Sequence, residues 1–172
     1  MANVVNREYK SSLFAFMLSQ KEYALQVYNV LNNSNYTNPE DVEITTLENV
    51  VFINIKNDVS FVLDNIFNLY EHQSTFNPNM PLRSLLYIAD SYERMIKEQN
   101  LNIYGSKLIK LPTPKCVVFY NGEKEYPDKK ILNLSDSFEN KSTESDVQIR
   151  VTMLNINYSH NKELLDKCEV LR

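Results

Sequence analysis

Apolar residues recur at helical spacing near the start of the chain. Leu13, Phe14, Met17 and Leu18 fall on one face, and the first 35 residues read as helical. Ser19-Gln20-Lys21-Glu22 has the form of a capping box and predicts a new helix there. The apolar face of that helix is Ala24, Leu25, Tyr28 and Leu31. Asn32-Asn33-Ser34-Asn35 ends it, because Asn tolerates the left-handed conformation and competes for backbone hydrogen bonds. Thr37-Asn38-Pro39-Glu40-Asp41 is a loop by composition.

The period then changes. Val50 to Ile55 and Val59 to Leu63 are apolar runs rich in β-branched residues. Asp64-Asn65 supplies a turn, and Ile66 to Glu71 returns as a strand, so the pair reads as a hairpin. Phe76-Asn77-Pro78-Asn79-Met80-Pro81 is a loop. Leu82 to Lys97 is the clearest helix, with Leu82, Leu85, Leu86, Ala89, Tyr92 and Ile96 as the expected buried stripe. Pro112 and Pro114 precede Cys116-Val117-Val118-Phe119-Tyr120, a strand with no polar alternation, as expected of a central strand covered on both faces. Lys124 to Asp128 reads as a solvated loop, Val147 to Ile156 as a period-2 strand, and Asn161 to Leu171 as the start of a helix. Strands interleaved with helices predict an α/β fold, a mixed β-sheet flanked by helices.

Composition narrows the function. The 172 residues make about one domain, and 43% hydrophobic residues suffice for a core. A net charge of -4 excludes a globally basic nucleic-acid binder, although a local basic groove remains open. Only Gly105 and Gly122 are available, so no glycine-rich phosphate loop can be written. Cys116 and Cys168 are too few for a disulfide scaffold and too far apart for a zinc knuckle. Residues 1–11 do not read as a charged-then-apolar leader, and no run of 18 apolar residues occurs. The expectation is a cytoplasmic protein with reduced thiols and no membrane partner. Abundant Lys and Asn fit an AT-rich bacterial genome.

The candidate chemistry lies in the carboxylates. No Ser-His-Asp triad follows from the positions of His72 and His160. Asp58 opens the first hairpin strand and Glu71 closes the second. Each lies six residues from its side of the Asp64-Asn65 turn, so the two should lie opposite one another. Such a pair repels unless a cation, a proton or a partner joins it. Mg²⁺, which takes one or two carboxylates and keeps several waters, suits the pair. A solvated acid pair at the hairpin mouth fits the same spacing. Gln73 projects to the same face as Glu71, and His72 to the other.

Longer strings carry a resemblance. Lys56-Asn57-Asp58-Val59-Ser60-Phe61, Leu69-Tyr70-Glu71-His72-Gln73-Ser74-Thr75-Phe76-Asn77-Pro78-Asn79-Met80-Pro81-Leu82-Arg83, Ile103-Tyr104-Gly105-Ser106-Lys107-Leu108-Ile109-Lys110-Leu111-Pro112-Thr113-Pro114-Lys115 and Leu154-Asn155-Ile156-Asn157-Tyr158-Ser159-His160 resemble the recombination-promoting nuclease family, often labelled "putative transposase". That family in turn is similar to the PD-(D/E)XK nucleases. The resemblance implies a restriction-endonuclease-like fold with an αβββαβ core, and a metal-dependent DNA endonuclease linked to recombination or mobile elements. It implies Asp58, Glu71 and Gln73 as catalytic residues, and Mg²⁺ or Mn²⁺ held by Asp58, Glu71 and the backbone carbonyl of His72. Gln73 stands where the superfamily usually has Lys, which removes a positive charge from the site. Where the family often has an Asp near its first helix, this chain has Ser11 or Ser12.

DNA is the partner implied. Arg83, at the start of the long helix, is a candidate phosphate contact. So are Lys107 and Lys110, within a window from Lys97 to Lys130 that is locally rich in lysine; ordinary solvated lysines fit that window equally. The family usually continues further. The expected division is therefore a nuclease-like domain over 1–158 and the start of a truncated C-terminal helical extension over 159–172, with a homodimer or pairing with a longer relative as possible assemblies. A non-catalytic DNA-binding or regulatory relic of the family is the alternative.

Overall fold

The computed structural model describes residues 12–46 and 58–171. The Val50–Ile55 run and Ser11 lie outside the described residues. Residues 12–18 are helical (α1) and are followed by α2, Lys21–Asn32. The expected capping box does not form. The Ser19 hydroxyl donates back to the Phe16 carbonyl at 2.7 Å, and the N-cap of α2 is Gln20, with no side-chain cap bond. The hydroxyl is committed to finishing α1 and cannot also start α2. Asn33 ends α2 in the left-handed conformation, with φ of 50°, as the Asn run predicts.

Among the described residues the sheet has six strands: β1 (Glu43–Ile44), β2 (Asp58–Leu63), β3 (Ile66–Gln73), β4 (Thr113–Tyr120), β5 (Lys129–Asn133) and β6 (Arg150–Asn155). Their order is β1-β2-β3-β4-β6-β5. β3, β4 and β6 run parallel, and the outer pairs are antiparallel. The long helix α3 (Met80–Glu98) connects β3 to β4, as a parallel pair requires. A short helix, α4 (Lys162–Lys167), follows β6. The architecture is α/β, a mixed sheet flanked by helices, consistent with a restriction-endonuclease-like fold. Among the described residues no helix is long and apolar enough to cross a membrane.

The core divides at the sheet. On one face Phe14, Leu18, Ala24, Val27 and Tyr28 of α1 and α2 cover Val59, Phe61, Tyr70 and Phe119. Leu165, Cys168, Val170 and Leu171 join that cluster. On the other face α3 sets Met80, Tyr87, Ile88 and Met95 against Phe67, Leu69, Val118, Tyr120, Val151 and Met153. β4 lies between β3 and β6, and its apolar end is covered on both sides as expected.

α3 begins at Met80, with Pro81 in its first turn, where the loop was expected to run through Pro81. Proline fits that position because its missing N–H would have no helical partner. Its buried face is Met80, Ser84, Tyr87, Ile88, Ser91 and Met95, while Leu82 and Leu86 are exposed at 43% and 49%. Ser84 and Ser91 are small and buried on that face, and Tyr87 brings its hydroxyl to Ser60 Oγ at 3.2 Å. Finally, β1 and β5 carry no clear strand pattern. β1 is two residues long, and β5 is an edge strand that begins with Lys129-Lys130.

Candidate active site

The turn between β2 and β3 sets the site. Asp64 and Asn65 have φ of 53° and 58°, the double left-handed conformation of a two-residue hairpin turn. Closing there fixes the register that places Asp58 opposite Glu71. It also sends Asp58, Glu71 and Gln73 to the face covered by α3, because side chains alternate along a strand. β3 runs two residues beyond Glu71, so Gln73 is held by the sheet as well.

These side chains converge. Gln73 Nε2 donates to Glu71 Oε1 at 2.9 Å and lies 2.7 Å from Met80 Sδ. Arg83, one turn into α3, places a guanidinium nitrogen 3.1 Å from Glu71 Oε1 and 4.0 Å from Asp58 Oδ1. Asp58, Glu71 and Gln73 are all buried, exposed by only 5 to 7%. The pair is therefore not the solvated mouth of an edge hairpin. β1 flanks β2, β4 flanks β3, and α3 covers the face.

Burial pushes the Asp58 carboxyl well above the usual carboxylate range; Glu71, by its charge and a hydrogen bond, raises it further, and Arg83 opposes the shift. Among the described residues, Asp58 Oδ1 and Gln73 Oε1 are buried with no hydrogen-bond partner. The carboxylate pair, with the Gln73 amide oxygen beside it, forms a donor set for a proton or a hard cation. Among the described residues no group of three or more His, Cys, Asp or Glu side chains is placed to hold a metal. An ion here would have to draw further oxygens from Gln73 or the backbone.

The other expected residues lie elsewhere. The His72 ring points to the opposite face, 5.3 Å from the Phe14 ring, so only its carbonyl is left to serve the site. Lys107 and Lys110 lie in the segment between α3 and β4. β4 begins beside the hairpin turn, where the Thr113 N–H donates to the Asn65 carbonyl at 2.8 Å. Thr113 pairs with Ile66, five residues before Glu71, which is roughly 17 Å along the strand. Among the described residues neither lysine forms an ion pair with Asp58 or Glu71.

A family model described as "Putative transposase, YhgA-like" matches residues 12–170. The chain belongs to that family. No curated protein and no solved structure matches it. The family description points to a function related to mobile elements. In this YhgA-like chain the matched span includes Asp58, Glu71, Gln73 and Arg83.

Sequence reasoning missed Met80 as the residue against Gln73, although Asn79-Met80-Pro81, with proline in a first helical turn, marks an earlier helix start. It also missed a group of rings at this end of the sheet. Phe76 and Tyr126 lie 4.8 Å apart, and Tyr120 meets Tyr126 edge-on at 5.2 Å. Their sequence separation hides this group from any local pattern.

Proposed function

We propose that this YhgA-like chain is a metal-dependent DNA endonuclease of the PD-(D/E)XK kind. The observation that supports it best is the buried, in-register pair Asp58 and Glu71, with Asp58 Oδ1 and the neighbouring Gln73 Oε1 making no hydrogen bond among the described residues. Asp58, Glu71 and the His72 carbonyl would hold Mg²⁺ or Mn²⁺. A cation held there makes a water more acidic and offsets phosphate charge. Gln73 contributes by position: its amide is fixed by Glu71 and Met80, and Oε1 can accept a hydrogen bond from the attacking water. Gln73 brings no positive charge, unlike a lysine. Arg83 is the cationic side chain against the carboxylates, and it can pair a phosphate when it leaves Glu71.

Cleavage of plasmid DNA with Mg²⁺ or Mn²⁺ tests the reading. Wild type should nick or cut, and Asp58→Ala and Glu71→Ala should not. Equal activity in all three would sink it.

One observation favours the non-catalytic alternative. Arg83 already supplies a cation to Glu71 at 3.1 Å. In a relic the arginine would hold the pair permanently and a divalent ion would not bind. Calorimetric titration with Mg²⁺ or Mn²⁺ separates the two: saturable binding lost in Glu71→Ala supports the enzyme, and no binding supports the relic.

A further inference from the structure

We propose that Lys124 and Lys130 are the phosphate-binding edge of this site and hold a nucleic-acid backbone across the sheet end that carries Asp58 and Glu71. The inference rests on the nuclease reading for its substrate class.

The pairing register draws one straight row across the sheet. Asp58 faces Glu71, Glu71 aligns with Val118, Val118 with Met153, and Met153 faces Lys130. Residues paired across strands share a face, so Lys130 lies on the α3 face with the carboxylates. It stands three inter-strand spacings from Glu71, roughly 14 Å. The segment from β3 to α3 bridges the interval, with Met80 against Gln73 at one side and the Phe76 ring beneath Lys130 at the other.

The two lysines are held by rings. Lys130 Nζ lies 4.8 Å from the Phe76 centroid and 5.3 Å from that of Tyr126, and Lys124 Nζ lies 5.5 Å from Tyr126. Tyr120 packs edge-on against Tyr126, and its hydroxyl donates to the Lys124 carbonyl at 2.9 Å. A ring attracts one side of an ammonium, which keeps its other N–H donors free.

Asp128 is turned away from these cations: its Oδ1 meets His160 Nδ1 at 2.5 Å, and Glu125 Oε2 lies 3.7 Å from His160 Nε2. Among the described residues neither Lys124 nor Lys130 is in an ion pair, and Glu123 is the remaining acid of the loop. Cations separated from a carboxylate pair by a ridge suit a ligand whose charge repeats along its length. A phosphodiester backbone has that property, and a small anion does not span the interval.

The test is binding of a fluorescent DNA duplex, followed by anisotropy in EDTA, so that cleavage cannot interfere, over a salt series. Lys124→Met/Lys130→Met keeps the stems on the rings and removes both charges. It should weaken binding about tenfold or more and reduce the slope of log K against log salt by about two. Lys124→Arg/Lys130→Arg should restore both. Lys21→Gln/Lys167→Gln removes the same charge from surface ion pairs and should leave affinity near wild type. Wild-type affinity and slope in the methionine variant would overturn the inference, as would a wild type that binds no duplex. A protein that binds through these lysines but does not cut plasmid leaves the inference standing and sinks the nuclease reading. Cleavage by wild type with binding unchanged in the methionine variant does the reverse.

Discussion

Asp58 and Glu71 face each other in register across β2 and β3, and both are buried. Two carboxylates in one buried place cannot both ionise cheaply without a counter-charge. Burial beside Glu71 holds the Asp58 carboxyl protonated in the fold, whereas the unfolded chain ionises it, and Asp58→Asn removes that cost and keeps the shape. The metal-free variant at neutral pH is expected to melt a few degrees above wild type, since about 1 kcal/mol shifts Tm by roughly 2–4 °C at this size. Saturating Mn²⁺ should raise the Tm of wild type and not of the variant, because a ligand that binds the native state stabilises it. Differential scanning calorimetry with and without Mn²⁺ reads both.

Arg83 is the one cation against this pair among the described residues. Its side chain is a quarter exposed, so water softens the interaction. Arg83→Gln is expected to cost about 1–3 kcal/mol in metal-free protein, because a buried carboxylate loses its partner. If the arginine and a divalent ion compete for the same oxygens, the variant should bind Mn²⁺ more tightly than wild type. Urea denaturation gives the first quantity and isothermal titration the second.

Helix α3 offers a contrast between neighbours. Leu86 is 49% exposed, whereas Tyr87 is buried with its hydroxyl 3.2 Å from Ser60 Oγ. Leu86→Gln should change stability by less than about 0.5 kcal/mol. Tyr87→Ala should cost about 3–5 kcal/mol, from lost burial and a cavity against the sheet. Denaturant titrations of both variants check the orientation of the helix.

That orientation shows where the sequence was legible. The hairpin could be read because its information is local: a turn, two runs and a fixed period place Asp58 against Glu71 and send Gln73 after it. The same rule turned His72 to the other face, where it meets Phe14. The α3 stripe was misread because leucine spacing says which residues could be buried, while the sheet chose the face with small Ser84 and Ser91. Lys107 and Lys110 were placed with the site because a charge window carries no direction along a strand. The order of parallel strands, which puts β4's start beside the hairpin turn, decides that, and it is a long-range property. The row from Asp58 to Lys130 needs four strand registers at once, so no local pattern contains it.

Cys116 makes a pH prediction. Burial pushes its thiol up to about 11, against a partial lowering by a hydrogen bond with Ser84. The folded state therefore favours the protonated thiol. Below pH 9 this thiol adds no pH dependence; as pH rises from about 9 to about 11 the unfolded chain loses the proton first and stability falls. Cys116→Ala should flatten that part of the pH–Tm curve relative to wild type. Native protein at pH 8 should also react slowly with a thiol reagent at this position, reaching full reactivity in urea.

Gly122 is held where a side chain has no room. A Cβ there would lie 2.3 Å from the Ser74 carbonyl oxygen and 2.4 Å from the Tyr120 hydroxyl. The first of these is backbone at the end of β3, directly after Gln73, and cannot swing aside as a side chain tip can. The glycine carbonyl also accepts from Asn157 Nδ2 at 3.0 Å, which ties the loop after β4 to the loop after β6. Gly122→Ala must therefore move either the Asn121-Gly122 turn or Ser74, and both lie beside Gln73. The expected cost is about 1–3 kcal/mol of overpacking strain. Because the strain falls at the site end of β3, Mn²⁺ affinity should drop in the same variant. Gly105→Ala, where a Cβ would meet only Asn102 at ordinary or slightly close contact, should spare both quantities. Urea titration with Mn²⁺ calorimetry on the two alanine variants measures the difference, and equal stability and affinity would show that the turn relaxes without disturbing the carboxylates.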